Sequence, residues 1–136
     1  LSTLHMPSFC DDFSAEKAID AMRQGKVCLF ACGTGRPFFS TDTAAALKAA
    51  EIYADALVLA KNVDGVYSAD PNKDPNAVRY SHLTYQQVIE QNLQATDLTA
   101  ITLCKEQKIP VVVCALKDEG AILRAINGQD VGTVID

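Results

Sequence analysis

The stretch KVCLFACGTGRPFFSTDTAAALKAAEIYADALVLAK, Lys26 to Lys61, decides how this chain is read. It opens with Lys26 to Cys32, a short and almost wholly apolar run rich in β-forming residues, the pattern of a strand buried on both faces. Gly33-Thr34-Gly35-Arg36-Pro37 ends that run, because glycine and proline at this density suit neither a strand nor a helix interior. Thr41 or Asp42 then stands where a helix cap belongs. Ala45, Ala46, Ala49 and Ala50 follow as a thin apolar stripe fit for close packing on a sheet. Asp55 to Lys61 reads as another buried strand. Strand, loop, helix, strand is a βαβ unit, with parallel strands and a right-handed crossover expected.

Upstream of this unit, Ser14 caps a predicted helix whose apolar positions Ala15, Ala18, Ile19 and Met22 follow the 3.6-residue period, with Gly25 at its end. Residues 1–13 carry no clear period. The chain starts at Leu1 without an initiator Met, which points to numbering inside a longer protein or to processing. Downstream, Asn62 to Asn76 is polar and turn-rich. Thr84-x-x-Gln87 is a capping-box pattern opening a short helix towards Asn92. Asp97 caps a helix to about Gln107, Ile109 to Leu116 is a third buried strand, and Glu119 to Ile126 is a last helix closed by Asn127-Gly128. Gly132 to Ile135 ends the chain as a strand. The fold class is α/β.

A length of 136 residues allows one domain, and 49% hydrophobic against 21% charged residues is the balance of a packed core. The net charge of −5 argues against sequence-independent binding to nucleic acid or to an anionic membrane, where Lys and Arg must neutralise phosphates. No apolar run approaches the ~20 residues that span a bilayer. The cysteines (Cys10, Cys28, Cys32, Cys104, Cys114) form no Cys-x-x-Cys pair, and only His5 and His82 could join them around a metal. No metal site is expected. Buried, reduced thiols and a cytoplasmic setting are the expectation.

Open parallel sheets bind ligands beyond the carboxyl ends of their strands. Two loops qualify. Gly33 to Asp42 combines glycines, which let a backbone approach a phosphate, with a helix N-terminus that favours anions. Phe38 stands where a dinucleotide loop has its third glycine, and the G-K-[ST] of a Walker A loop is missing, so neither fingerprint applies. A tight strand-to-helix turn without a ligand is an equal reading of these residues. In Lys61 to Pro71, a turn at Asp64-Gly65 would present Tyr67 and Asp70 on one side, an aromatic surface and a carboxylate acceptor suited to a purine. A solvated hairpin is the plainer alternative. The aspartates lack EF-hand spacing, which discounts calcium.

In this order the two loops resemble the C-terminal part of the bacterial uridylate (UMP) kinases, in the amino acid kinase superfamily. FACGTGRPFFSTDTAAALKAAEI (Phe30 to Ile52) is similar to that family's nucleoside-monophosphate loop and following helix, and NVDGVYSADP (Asn62 to Pro71) to its ATP loop. LTYQQVIEQ, ATDLTAITLC and the closing Gly128…Gly132-Thr133 also fit, so the likeness runs from Ser14 onwards. It implies a three-layer sandwich around a mainly parallel sheet with its N-terminal part missing, residues 1–13 being an irregular segment and 14–136 the ATP-binding part. It implies transfer of the γ-phosphoryl of ATP, carried with Mg²⁺, to UMP. Thr34, Gly35, Arg36, Pro37, Phe38, Phe39, Ser40 and Thr41 would line the UMP site, with Phe38 and Phe39 shaping the pocket. Lys61, Asn62, Tyr67 and Asp70 would bind ATP, and Asp97 is the catalytic candidate, holding a lysine in place, or a plain helix cap. A homohexamer with GTP and UTP as effectors belongs to the same implication. Arg36 stands for the family's usual Asn, Lys61 for a Thr of some members, Thr96 for Met and Cys32 for a small residue. The family's Lys-x-Ser-Gly-Glu phosphate loop is not among these residues, so the chain alone is expected to be inactive. A non-catalytic nucleotide-binding module, or a kinase of the same superfamily acting on an amino acid, are the competing readings.

Overall fold

A computed structural model describes residues 1–94 and 96–136. The first helix, α1 (Ala15–Arg23), begins as its sequence predicts: the Ser14 side chain accepts from the Lys17 N–H, and Ala18 is fully buried. The segment after it corrects the expectation of a buried strand over Lys26 to Cys32. Leu1 to Thr3 runs beside it, through bonds from the Leu1 amino group to the Leu29 carbonyl (2.8 Å), from the Ala31 N–H to Leu1 (2.9 Å) and from the Thr3 N–H to Ala31 (3.2 Å). Its other side has no ladder partner among the described residues, and Val27 and Leu29 are 90% and 79% exposed. Apolar composition marks a segment that gains by burial, but a strand forms only where a neighbour takes up its backbone groups. The βαβ crossover expected from Lys26 to Lys61 is therefore not closed. Its loop, helix and second strand are kept.

Helix α2 (Thr41–Glu51) is capped by Ser40, not by Thr41 or Asp42: the Ser40 Oγ accepts from the Thr43 N–H at 2.9 Å. Asp42 falls in the first turn, where a negative charge favours the helix dipole. Ala44, Ala46 and Ala49 are buried where α2 meets β1 (Leu57–Lys61) and the later helix α4 (Leu98–Gln107). Between them come β2 (Val66–Tyr67), β3 (Arg79–Tyr80), β4 (His82–Leu83) and α3 (Tyr85–Glu90), and after them β5 (Val111–Ala115), α5 (Ala121–Ile126) and β6 (Thr133–Ile135). The capping box of α3 is formed, with Thr84 and Gln87 bonding each other's backbone N–H, and Asp97 caps α4 through the Ala100 N–H.

The main sheet has the order β1-β5-β6-β4. β1 lies parallel to β5, from Leu57 opposite Val111 to Lys61 opposite Ala115, and β4 lies parallel to β6; β5 and β6 are antiparallel. Leu59, Val111, Val113 and Ile135 join Ala46, Ala49, Val88, Ala100 and Ile101 in one core under α2, α3 and α4. Strand alternation turns the other face of β1 and β5 to α5, which packs on both. Three layers result. The short antiparallel pair β2–β3 is tied to this sheet by Thr133, whose buried hydroxyl accepts from the Val66 N–H (2.8 Å) and donates to the Tyr80 carbonyl (2.5 Å). No helix among the described residues is long and apolar enough to cross a membrane.

Of the thiols expected to be buried, Cys104 and Cys114 are, and desolvation pushes both upward in pKa, Cys104 to about 11. Cys10 and Cys28 are half-buried, and Cys32 is exposed because the strand expected to enclose it does not form.

Candidate functional site

Three helix and strand ends converge at one corner of the molecule: the N-terminus of α2, the carboxyl end of β1 and the N-terminus of α4. Asp42 accepts from the Lys61 ammonium at the end of β1 and from the Thr96 hydroxyl at 2.5 Å. Asp97 accepts from the Ser40 hydroxyl, from the Thr43 hydroxyl at 2.8 Å and from the Ala100 N–H at 3.0 Å. Ser40 thus caps α2 while leaning on the residue that caps α4. Burial, the largest single influence on Asp97, acts to raise its pKa. The bonds from Ser40, Ala100, Thr43 and Thr99 together outweigh burial and leave it below the usual carboxylate value. Thr43 is not singled out by the sequence, and Thr96 is marked there only as standing for the family's Met, with no bonding role. The cap-type clusters Ser40 to Thr43 and Thr96-Asp97 were visible, but nothing local says that one faces the other.

The loop ahead of this corner holds the positions expected to meet a nucleoside monophosphate. Gly33 and Gly35 have φ of +54° and +67°. A Cβ on Gly35 would lie 3.0 Å from the Thr3 side chain, whose hydroxyl donates to the Gly33 carbonyl at 2.8 Å. The Thr34 hydroxyl is occupied within the loop, accepting from the Arg36 N–H at 3.2 Å. Arg36, Pro37, Ser40 and Thr41 are exposed. Phe38, at φ +70°, is entirely exposed, and Phe39 is 55% exposed. Neither ring lines the clefts described below, and Phe38 stands in solvent among the described residues.

Tyr67 and Asp70 do share a cleft, of about 310 Å³, with Ser68 and Lys73 on their side and Gln91 to Gln94 opposite. The Tyr67 hydroxyl donates to Asp64 at 2.7 Å, and Arg79 donates to the other oxygen of that carboxylate at 2.9 Å. The Tyr67 bond is the main reason Asp64 is held below, and Tyr67 above, its ordinary pKa. Asp70 accepts from the Asn72 N–H at 3.0 Å, the main cause of its lowered pKa, with the Lys73 ammonium 3.4 Å away. Lys61 and Asn62 do not line this cleft: Lys61 turns to Asp42, and Asn62 is exposed. The two purine-facing candidates are therefore brought together and the other two are not. Roomier clefts of about 500 and 730 Å³ flank the edge of β1, but their walls are mostly aliphatic and lack convergent polar groups. No group of three His, Cys, Asp or Glu side chains that could hold a metal occurs among the described residues.

Residues 5–115 match the model of the amino acid kinase family. Among solved structures the chain is similar to UMP kinase from Ureaplasma parvum, at 35% identity over 100% of this chain and 58% of that one, with a TM-score of 0.92. UMP kinase from Bacillus anthracis matches at 30% identity over 99% of this chain and 56% of that one, with a TM-score of 0.95. Uridylate kinase from Archaeoglobus fulgidus matches at 36% identity over 90% of this chain and 58% of that one, with a TM-score of 0.74. The chain spans somewhat over half the length of each.

Proposed function

The chain belongs to the amino acid kinase family, and from that premise we propose that it is the ATP-binding portion of a uridylate kinase, which transfers the γ-phosphoryl of ATP to UMP and yields ADP and UDP. The observation that carries this reading is the shared corner. The loop that would hold the monophosphate runs into α2, and α2 is bonded through Asp42 to Lys61 at the carboxyl end of β1, from which the chain leads on to the Tyr67–Asp70 cleft. Two ligands, one on each loop, would meet there end to end, the near-attack arrangement that phosphoryl transfer requires.

In that arrangement the adenine lies against Tyr67 with Asp70 accepting from its amine, while Thr34 to Thr41 face UMP. An oxygen of the UMP phosphate attacks the γ-phosphorus, and the bond from that phosphorus to the β–γ bridging oxygen breaks, leaving ADP. No covalent enzyme intermediate is needed. Asp97 acts as a positioning residue and not as a base, since its oxygens are already taken by two hydroxyls and a backbone N–H. Mg²⁺ carried on the ATP phosphates would supply charge neutralisation; no group of three metal-ligating side chains occurs among the described residues. The cations nearby are Lys61, already paired with Asp42, and the exposed Arg36. Transfer with little covalent help depends on positioned cations, so these 136 residues alone bind nucleotide without turning it over.

Coupled ADP-release with UMP and ATP is expected to read zero for this chain, and turnover comparable to an intact kinase would reject that expectation. Calorimetry with a non-hydrolysable ATP analogue is expected to find weakened binding in Tyr67→Ala and in Asp70→Ala, each by about fivefold or more. Unchanged affinity in both rejects the purine assignment. UMP is expected to protect the Phe38–Phe39 loop from proteolysis where glutamate and aspartate do not; the opposite pattern would favour a kinase of amino acids.

A further inference from the structure

The loop read as meeting the monophosphate is braced from a part of the chain in which the sequence shows no period. Gly33 and Thr34 are the middle residues of a turn closed by the Gly35 N–H on the Cys32 carbonyl at 2.9 Å. The peptide between them is planar, so its carbonyl and the Thr34 N–H point in opposite directions and turn together. Turn types differ chiefly in the orientation of this middle peptide, and glycine at its start makes reorientation cheap. The Thr3 hydroxyl takes hold of it, donating to the Gly33 carbonyl at 2.8 Å. The Thr3 methyl guards the next glycine: a Cβ on Gly35 would come within 3.0 Å of it. Among the described residues no other hydrogen bond joins Cys32 to Phe39 with another part of the chain.

Thr3 is itself held. Its N–H donates to the Ala31 carbonyl at 3.2 Å, and the Ala31 N–H donates to the Leu1 carbonyl at 2.9 Å. Buried Ser2 joins a second run of chain: its N–H donates to the Asp11 carbonyl at 2.8 Å, and its own carbonyl accepts from the Phe13 N–H at 2.7 Å. The Phe13 ring meets Phe30 edge-on at 5.5 Å and lies under the Lys48 ammonium, 3.4 Å from the ring centre. That cation–π contact ties the segment to α2, the helix into which the loop runs. Loop, helix, Phe13 and Thr3 thus close a ring. We propose that Thr3 is a positioning residue for the monophosphate loop, fixing the Gly33–Thr34 peptide through its carbonyl. The Thr34 N–H, which has no partner among the described residues, then faces away from Thr3 and is open to an anionic ligand. This role rests on the loop being the UMP site, as proposed above, and adds what sets the shape of that site. A backbone N–H aimed beforehand spares a bound phosphate the cost of ordering it.

Thr3→Val removes the hydroxyl and keeps the shape, whereas Thr3→Ser keeps the hydroxyl and loses the methyl. In titration calorimetry on the 136-residue chain, Thr3→Val is expected to bind UMP about fivefold more weakly than the unaltered chain, with Thr3→Ser close to unaltered. Binding of a non-hydrolysable ATP analogue and the thermal transition should be unmoved in both variants, a selectivity that a general loss of stability would not give. NMR relaxation dispersion needs no ligand. It should find the Thr34 amide quiet in the unaltered chain and in microsecond-to-millisecond exchange in Thr3→Val. UMP affinity unchanged in Thr3→Val, or weakened together with that for the ATP analogue, overturns the inference. Thr3→Ser falling as far as Thr3→Val overturns it too, because the hydroxyl is then not what matters. If the unaltered chain does not bind UMP, the UMP reading of the loop has failed. A Thr34 amide equally quiet in Thr3→Val rejects the role of Thr3 whatever the ligand result.

Discussion

Gly132 is the most crowded of the glycines among the described residues. Its φ is +66°, and a Cβ built on it would stand 1.8 Å from the Val113 carbonyl oxygen, where β6 enters beside β5. Gly128 has nearly the same φ, +67°, yet a Cβ there meets nothing within 4 Å. The pair separates two costs. Gly128→Ala pays only for a left-handed alanine, about 1 kcal/mol, while Gly132→Ala must also move a strand of the core. In urea unfolding Gly128→Ala is expected to keep a cooperative transition, and Gly132→Ala to lose more than about 4 kcal/mol or fail to fold. Equal losses would place β6 elsewhere. From the sequence alone, both glycines read as punctuation around a terminal strand. Which of them is crowded depends on a carbonyl contributed by β5.

Asp97 works at the scale of elements, because it joins the N-termini of α2 and α4. Its cap on α4 was readable from the local pattern, as were Ser14 on α1 and the Thr84–Gln87 box on α3, since each of these bonds spans three residues. Ser40, Thr41 and Asp42 all suit a cap, and only the backbone, extended at Ser40 and helical from Thr41, chooses between them. Asp97→Ala removes the α4 cap and leaves the Ser40 and Thr43 hydroxyls without their acceptor, a loss of about 2 kcal/mol expected in denaturant titration at neutral pH. The folded pKa of Asp97 is lowered, so its stabilisation is complete above the unfolded carboxylate value near 4 and fades as the pH falls through the folded one. The gap between the unaltered chain and Asp97→Asn is therefore expected to be widest near neutrality and to narrow in acid below pH ~4. A gap that widens on acidification contradicts the bonding at this corner.

At the scale of the whole molecule, β1 is an edge strand of its sheet among the described residues, with apolar clefts on either side and Val27 and Leu29 in solvent. A net charge of −5 opposes association only weakly against an exposed edge of this kind. Light scattering on the isolated chain is expected to find mass growing with concentration, and Val27→Lys with Leu29→Lys to suppress it. A monomer at all concentrations, or no effect of the lysines, would indicate that the edge is shielded. The same edge marks the border between what each level of description decides. Composition, periodicity and caps were enough for an α/β chain, for nearly every helix, and for the two loops that carry the nucleotide reading, because those signals act over three to eight residues. Whether Lys26 to Cys32 becomes a strand and whether Asp42 meets Lys61 and Thr96 were decided only by tertiary structure. Asp42 meets partners 19 and 54 residues away and Lys26 to Cys32 is met only by the chain's first residues, and a backbone or side-chain group has no means of encoding locally which distant group will satisfy it.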